Sequence, residues 1–291
     1  MTRQLKADLA ILGITVVWGS SFIIMKNITE DIPAYAYLAL RFLVATIIMV
    51  AVFHKQLKSI DFRTIRSGSL VGLTLYAGMM LQVLGLKTTS ASNSAFITGL
   101  NVIMVPVIST LLLKKKPPLN AFLGVVLATL GLFALKGFSG SWTIGDSLTL
   151  LCALCFALQI IFIDKFASDI NIYNLAIVQI ASAAVLYFIT WICAGYVAEP
   201  SPFVLDSKIV LTVLYTGALG TALAFGVQTI AQKYTTPTRT ALIITCEPVF
   251  GALFALMIPD VNGQTEVLTV RMILGCLLIL SGMLITELDK K

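Results

Sequence analysis

The chain has 291 residues, of which 58% are hydrophobic and only 12% are charged. A soluble domain carries about 25% charged residues, so this chain lacks the charge to cover a water-facing surface, and a soluble globular enzyme or binding module is excluded. The net charge of +6 is no nucleic-acid footprint, because the basic residues sit in short loops between apolar runs, where they report membrane orientation.

Ten apolar runs of about 17 to 23 residues are long enough to cross a ~30 Å hydrocarbon layer as helices. The first, 9–26, is interrupted by Trp18, Gly19, Ser20 and Ser21 and ends at Lys26 without the cleavage site of a signal peptide. Behind it, Asn27-Ile28-Thr29 matches a glycosylation sequon but lies against the membrane. Pro33 opens the second, 35–53, which holds Arg41 and runs up to His54, the single histidine, read as interfacial. The third, 67–86, carries Tyr76 and Gln82, and the fourth, 93–113, carries Asn93 and Asn101 and stops at "KKKPP", residues 114–118. The fifth, 119–135, has Gly124 and Gly131 seven apart, followed by turn residues Gly137 to Ser141.

The sixth, 146–163, opens at Asp146, carries Gln159 and ends at Asp164 and Lys165, read as a solvated or gate salt bridge. The seventh, 173–197, stops at "EPSP" (199–202), and the eighth, 209–231, carries Gln228. The ninth, 240–258, holds Glu247 and Pro248 inside unbroken hydrocarbon and stops at "DVNG" (260–263). The tenth, 270–287, repeats the seven-residue glycine spacing at Gly275 and Gly282. The five cysteines all lie inside apolar runs, so Cys152 and Cys155 read as packing residues and no disulfide framework or metal site is implied.

Charge sets the orientation. With the N-terminus inside, fourteen basic residues face the cytoplasm, from Arg3 and Lys6 through Lys55, Lys114 to Lys116 and Arg239 to Lys290 and Lys291. Only Lys26, Lys87, Lys136, Lys208 and Arg271 face outward. The bias predicts a multi-pass protein of the plasma or inner membrane with both termini cytoplasmic.

The two halves share a pattern. A shift of 138 lays Asp8 over Asp146, and a shift of 146 lays Lys87 over Lys233, Ala95 over Ala241, Asn101 over Glu247 and Gln82 over Gln228. Each half, 1–138 and 139–291, holds five runs. Five is odd, so the second half must enter the membrane upside down, which is the signature of transporters built as inverted repeats with a midplane site. The expected fold is an all-α membrane protein of ten transmembrane helices, arranged as two inverted five-helix repeats around a central cavity.

The segments "VVWGSSF", "LRF", "TSASNSAFITGLNVIMVPV", "GDSLTLLCALCFALQ" and "CEPVFGALFAL", in this order along the whole chain, resemble the drug/metabolite transporter superfamily, in its ten-helix branch with two EamA domains. The resemblance implies a basket-shaped bundle whose first, third, fourth, sixth, eighth and ninth helices line the cavity, with the fifth and tenth packed together at the rim. It also implies export of amino acids and other small metabolites, with some members importing.

Glu247 lies about eight residues past Arg239, so roughly 12 Å deep. An acid there costs about 2.5–3.5 kcal/mol on insertion scales, so it should face the bundle interior, as a proton carrier, a countercharge to a substrate amine, or a helix tie. Asn101, its symmetry mate, offers an amide to substrate or to a neighbouring helix, with Asn93 two turns earlier. Arg41, about 10 Å below the outer surface, reads as a carboxylate clamp or as a structural partner of Glu247 or Asp164, or it snorkels. Trp18, Ser20 and Ser21 suit an amphiphilic metabolite or simple packing. Tyr76, Gln82, Gln159 and Gln228 are further candidates.

The expected function is a secondary active transporter exporting small amphiphilic metabolites such as amino acids, coupled to protons or working as a facilitator, with the lipid bilayer and a small solute as partners. The alternative is a multidrug or organic-cation exporter with Glu247 as countercharge. No cofactor, metal, nucleic acid or phosphate-binding loop is expected, and the assembly reads as a monomer or weak homodimer. A membrane enzyme would need a second midplane acid or a nucleophile with its base, and the sequence has neither.

Overall fold

Most helices begin where the sequence supplies an oxygen for their first unpaired N–H groups. In the computed structural model, the side chains of Asp61, Ser90, Asp206 and Thr236 accept from the backbone N–H of Thr64 (2.8 Å), Asn93 (3.0 Å), Ile209 (2.8 Å) and Arg239 (3.3 Å). Thr2 accepts from Leu5, and Thr143 with Asp146 forms a reciprocal capping box. Each such cap is worth about 0.5–2 kcal/mol. They also explain why the first, third and ninth helices start before the hydrocarbon runs at 9, 67 and 240: the polar first turns extend beyond the apolar layer to reach their caps.

The structure describes residues 1–29, 31–114, 116–136, 142–195, 205–259, 263–265 and 267–287, and among them there is helix but no strand. We number the helices α1 (Arg3–Ile28), α2 (Ala34–Val52), α3 (Phe62–Leu86), α4 (Ala91–Leu113), α5 (Leu119–Lys136), α6 (Ile144–Ala167), α7 (Ile172–Cys193), α8 (Ser207–Gln232), α9 (Pro237–Ala255) and α10 (Val270–Glu287). Eight are long and apolar enough to cross a membrane. α5 and α10 carry the shorter apolar stretches Leu119–Ala134 and Val270–Thr286. The chain is therefore a multi-pass membrane protein. The turns at Gly137 to Ser141 and 199–202, most of 260–263, the half boundary at residue 138, and Lys115, Lys290 and Lys291 lie outside the described residues.

Packing follows a simple rule. α5 runs along α10; α3 packs on α6 and α7; α8 packs on α1 and α2; α4 packs on α6, and α9 on α1; α2 meets α7 and α4 meets α9. Exchanging each helix for the one five later returns the same set of pairs.

The α5–α10 contact is a close backbone approach at two levels. A Cβ on Gly124 would lie 2.6 Å from the Gly282 carbonyl, one on Gly282 would lie 2.6 Å from the Gly124 carbonyl, and one on Gly131 would lie 2.7 Å from that of Gly275. The helices therefore cross antiparallel with their glycines facing. Small residues give this close van der Waals contact in lipid, where burial of apolar surface supplies no drive.

Two sets of polar contacts mark the ends of the bundle. At one end Arg239 meets Asp8 at 3.4 Å, Arg63 meets Asp169 at 2.5 Å and Asn174 donates to Ser59 at 2.9 Å. At the other, Lys208 meets Asp31 at 2.5 Å, and Lys26 donates to the carbonyls of Leu86 (2.9 Å) and Thr89 (2.8 Å).

Candidate substrate cavity

Three departures from regular helix build the site. In α8, residues Ala218–Leu223 form a π-helical turn: the Thr221 hydroxyl donates to the Thr216 carbonyl at 3.0 Å, and the Ala224 N–H goes to Leu219 and Thr221. The Gly220 carbonyl is thereby released from the ladder. It accepts instead from Trp18 Nε1 at 3.0 Å and from Arg41 Nη2 at 3.3 Å. Single π turns of this kind are a known way to redirect backbone groups.

In α9, the helix breaks at Thr245 and Cys246 and resumes at Glu247, with Cys246 N–H tightened onto the Ile243 carbonyl at 3.0 Å. Pro248 has no N–H to give to the carbonyl of Ile244, four residues back, which accounts for the break. α4 breaks at Leu100, so that its second piece starts at Asn101. The pair matched by the sequence repeat thus occupies the same position, just past a helix break.

Around these breaks lies a narrow cavity of about 40 Å³, walled by α1, α3, α4, α6, α8 and α9 with Arg41 entering from α2. Glu247, Asn101, Gln82 and Gln228 all reach it, as do Gln159, Trp18 and Ser21. Its aromatic wall is Trp18 against Phe225, ring centres 5.0 Å apart, with Phe156 nearby.

Arg41 is 1% exposed and held only by neutral groups: Nε donates to Thr221 Oγ1 at 2.7 Å, and Nη1 to Met25 Sδ at 3.1 Å and Tyr37 OH at 3.3 Å. Among the described residues no carboxylate lies within ion-pair distance of it. The expectation of Glu247 or Asp164 as its partner is corrected here, and so is snorkelling, because the π turn supplies enough oxygen to keep the guanidinium inside. The Glu247 carboxylate likewise takes part in no hydrogen bond or ion pair among the described residues, and Glu247 lines the cavity.

The amides form a chain. Gln228 Nε2 donates to Gln159 Oε1 at 3.2 Å, Gln159 Nε2 to Gln179 Oε1 at 3.4 Å, and Gln179 Nε2 to the Thr229 hydroxyl. Gln82 Nε2 donates to Thr98 Oγ1 at 3.3 Å. Gln228 Oε1 and Asn101 Oδ1 are buried with no partner among the described residues.

The family model described as the EamA-like transporter family matches residues 5–136 and again residues 143–288. The chain belongs to the EamA-like transporter family. It is 31% identical over 291 residues to an uncharacterized transporter of Archaeoglobus fulgidus, covering 98% of this chain and 87% of the relative. It is 22% identical over 288 residues to the uncharacterized transporter YoaV of Bacillus subtilis, covering 96% of each. A solved crystal structure superposes with a TM-score of 0.77 at 17% identity, covering 97% of this chain and 98% of the other, which supports the fold alone. The EamA-like family lies within the drug/metabolite transporter superfamily that the sequence motifs resemble.

Not every expected residue of this EamA-like transporter reaches the cavity. Ser20 turns away, its hydroxyl sharing hydrogen bonds with the Val17 carbonyl (2.8 Å) and Tyr215 OH (2.7 Å). Tyr76 bonds Thr190 Oγ1 at 2.6 Å and stacks on Tyr187. Asn93 lines a separate groove with Phe22, Phe96 and Arg271. The wall between groove and cavity is the α1–α9 contact, where a Cβ on Gly19 would meet Gly251 N at 2.8 Å. Conversely, Thr98, Met25, Met79 and Phe156 line the cavity without having been expected there. The cysteines are free, and no group of three potential metal ligands occurs among the described residues.

Proposed function

We propose that the protein is a secondary active transporter that exports small amphiphilic metabolites such as amino acids from the cell. It would work by alternating access of the central cavity to the two faces of the plasma or inner membrane, with both termini cytoplasmic and ten spans in two inverted halves, 1–138 and 139–291. The observation that carries the reading is a buried cavity lined by an acid and an arginine, neither of which has an oppositely charged partner among the described residues. A lone buried charge is costly, and one facing a solute path is a functional group by default. A zwitterion answers both charges at once: its carboxylate would meet the Arg41 fork and its ammonium would meet Glu247. The helix-pair exchange and the matched breaks at Leu100 and Cys246 support the inverted arrangement. Glu247 is the group through which proton movement would be coupled to that of the solute.

The second reading is an organic-cation exporter. The aromatic wall of Trp18, Phe156 and Phe225 favours it, because ring faces attract cations; the uncompensated Arg41 opposes it. Counterflow of labelled amino acids and of the matching decarboxylated amines into proteoliposomes separates the two. Exchange of amino acids supports the first, exchange of amines alone supports the second, and exchange of neither, with nucleobase-like metabolites also static, rejects both.

A further inference from the structure

Two residues that line the cavity each hold a buried oxygen whose hydrogen-bonding capacity no described residue uses. Gln228 and Asn101 are 1% and 2% exposed, and among the described residues neither Gln228 Oε1 nor Asn101 Oδ1 meets a donor. Leaving such a group buried and unpaired costs about 1–3 kcal/mol, and each unsatisfied buried group asks for an explanation.

Gln228 cannot turn its amide alone to relieve the deficit. Its Nε2 opens the donor chain through Gln159 and Gln179 to Thr229, and the chain is anchored where the Thr229 hydroxyl donates to the Phe225 carbonyl at 2.7 Å. Every donor in the chain points away from Gln228 Oε1. Reversing it means turning three buried amides together and withdrawing the Thr229 proton from Phe225. Gln159 and Gln179 are positioning residues in this arrangement: they fix which end of Gln228 is left open.

A third oxygen centre, the Glu247 carboxylate, lines the same cavity from α9, while Gln228 stands on α8 and Asn101 on α4. A primary ammonium has three N–H donors and no acceptor, as the lysine head group does. A quaternary ammonium has the same charge and no donor. It would answer the charge of Glu247 and leave both amide oxygens orphaned.

We propose that the cation subsite of this cavity is built for a primary ammonium, its three N–H groups given to Glu247, Asn101 Oδ1 and Gln228 Oε1, and that it refuses quaternary ammonium ions. The proposal rests on the transport reading above and deepens it, since it fixes which cationic pole a substrate must carry.

The test is calorimetric binding of one carbon skeleton with its donors removed in steps: phenethylamine and its N-methyl, N,N-dimethyl and N,N,N-trimethyl analogues, with phenylacetate alongside. Affinity falls on the order of tenfold for each N–H lost once an amide oxygen is left unpaired, so the quaternary ion binds at least about a hundredfold more weakly than the primary amine. In Gln228→Met and in Asn101→Leu the same series flattens by about tenfold. The wild-type series decides the matter even where a variant does not fold. Equal binding of primary and quaternary ions overturns the proposal, and so does binding of phenylacetate without the amines, which would mean that the amide chain runs in reverse. If none of these probes binds while proteoliposomes still exchange another solute, the ammonium site falls and the transport reading stands. If no solute is exchanged at all, both fall.

Discussion

Glu247 and Arg41 line the same buried cavity, and neither has an oppositely charged protein partner among the described residues. Had they formed an ion pair, the cavity would be an ordinary helix junction. Held apart, with Arg41 kept in place by the oxygens of a π turn, they give the cavity two poles.

Arg41→Lys keeps the charge but loses the planar fork that suits a carboxylate. Transport of amino acids should show a KM raised about tenfold, while KM for the matching amines stays put. Counterflow kinetics on the two solute series check this, with a melting curve to confirm that the variant is folded.

The α5–α10 crossing should tolerate no added carbon. Gly124→Ala puts a methyl 2.6 Å from the Gly282 carbonyl, and Gly282→Ala does the same in reverse. Each should destabilise by about 1–3 kcal/mol, the usual cost of overpacking. Gly13→Ala is the control, since nothing lies within 4 Å of a Cβ there. Thermal unfolding in detergent should rank Gly13→Ala at or above wild type and the other two clearly below it.

The Arg239–Asp8 pair, 3.4 Å apart with side chains 13% and 4% exposed, joins α9 to α1. Removing one partner takes this contact away from the other buried charge, whereas replacing both with apolar groups is often less costly. Arg239→Met and Asp8→Leu should each lower the melting temperature, and the double variant should recover much of the loss. Strictly additive losses would mean that the pair is not coupled.

How much of this was legible in sequence depended on geometry. Hydrocarbon length located the helices, and the repeat singled out Asn101, Glu247, Gln82 and Gln228, all four of which reach the cavity. Ser20 misled because chemistry was read without angle, and Tyr76 because its hydroxyl is taken up by Thr190 on α7. On α1 the cavity face is Trp18, Ser21 and Met25, spaced at i, i+3 and i+7, and Ser20 falls between them. The same spacing would have found Met79 beside Gln82 and Phe156 beside Gln159. Asn93 misled because the break at Leu100 ends the register between it and Asn101. The π turn of α8 carries no sequence mark, so nothing in the chain foretold that Gly220 and Thr221 would hold Arg41.

A pH effect is expected at one helix cap outside the membrane. The Thr64 hydroxyl and backbone N–H beside Asp61 hold its carboxyl below the ordinary value of 3.8. A depressed folded value stabilises fully above the unfolded value and is lost as pH falls through the folded one, so the contribution should be constant at neutral pH and fade only below about pH 4. Melting of wild type and Asp61→Asn should therefore differ at pH 7 and converge in acid. A gap that widens on acidification would reverse the sign.

The central claim is that Glu247 couples solute to proton movement. Proteoliposomes loaded with a pH-sensitive dye test it directly, with wild type and Glu247→Gln given the same amino acids and amines. The account predicts a solute-triggered proton flux in the wild type that is absent from a folded Glu247→Gln protein. An undiminished flux in that variant would contradict it and leave Glu247 as a structural acid.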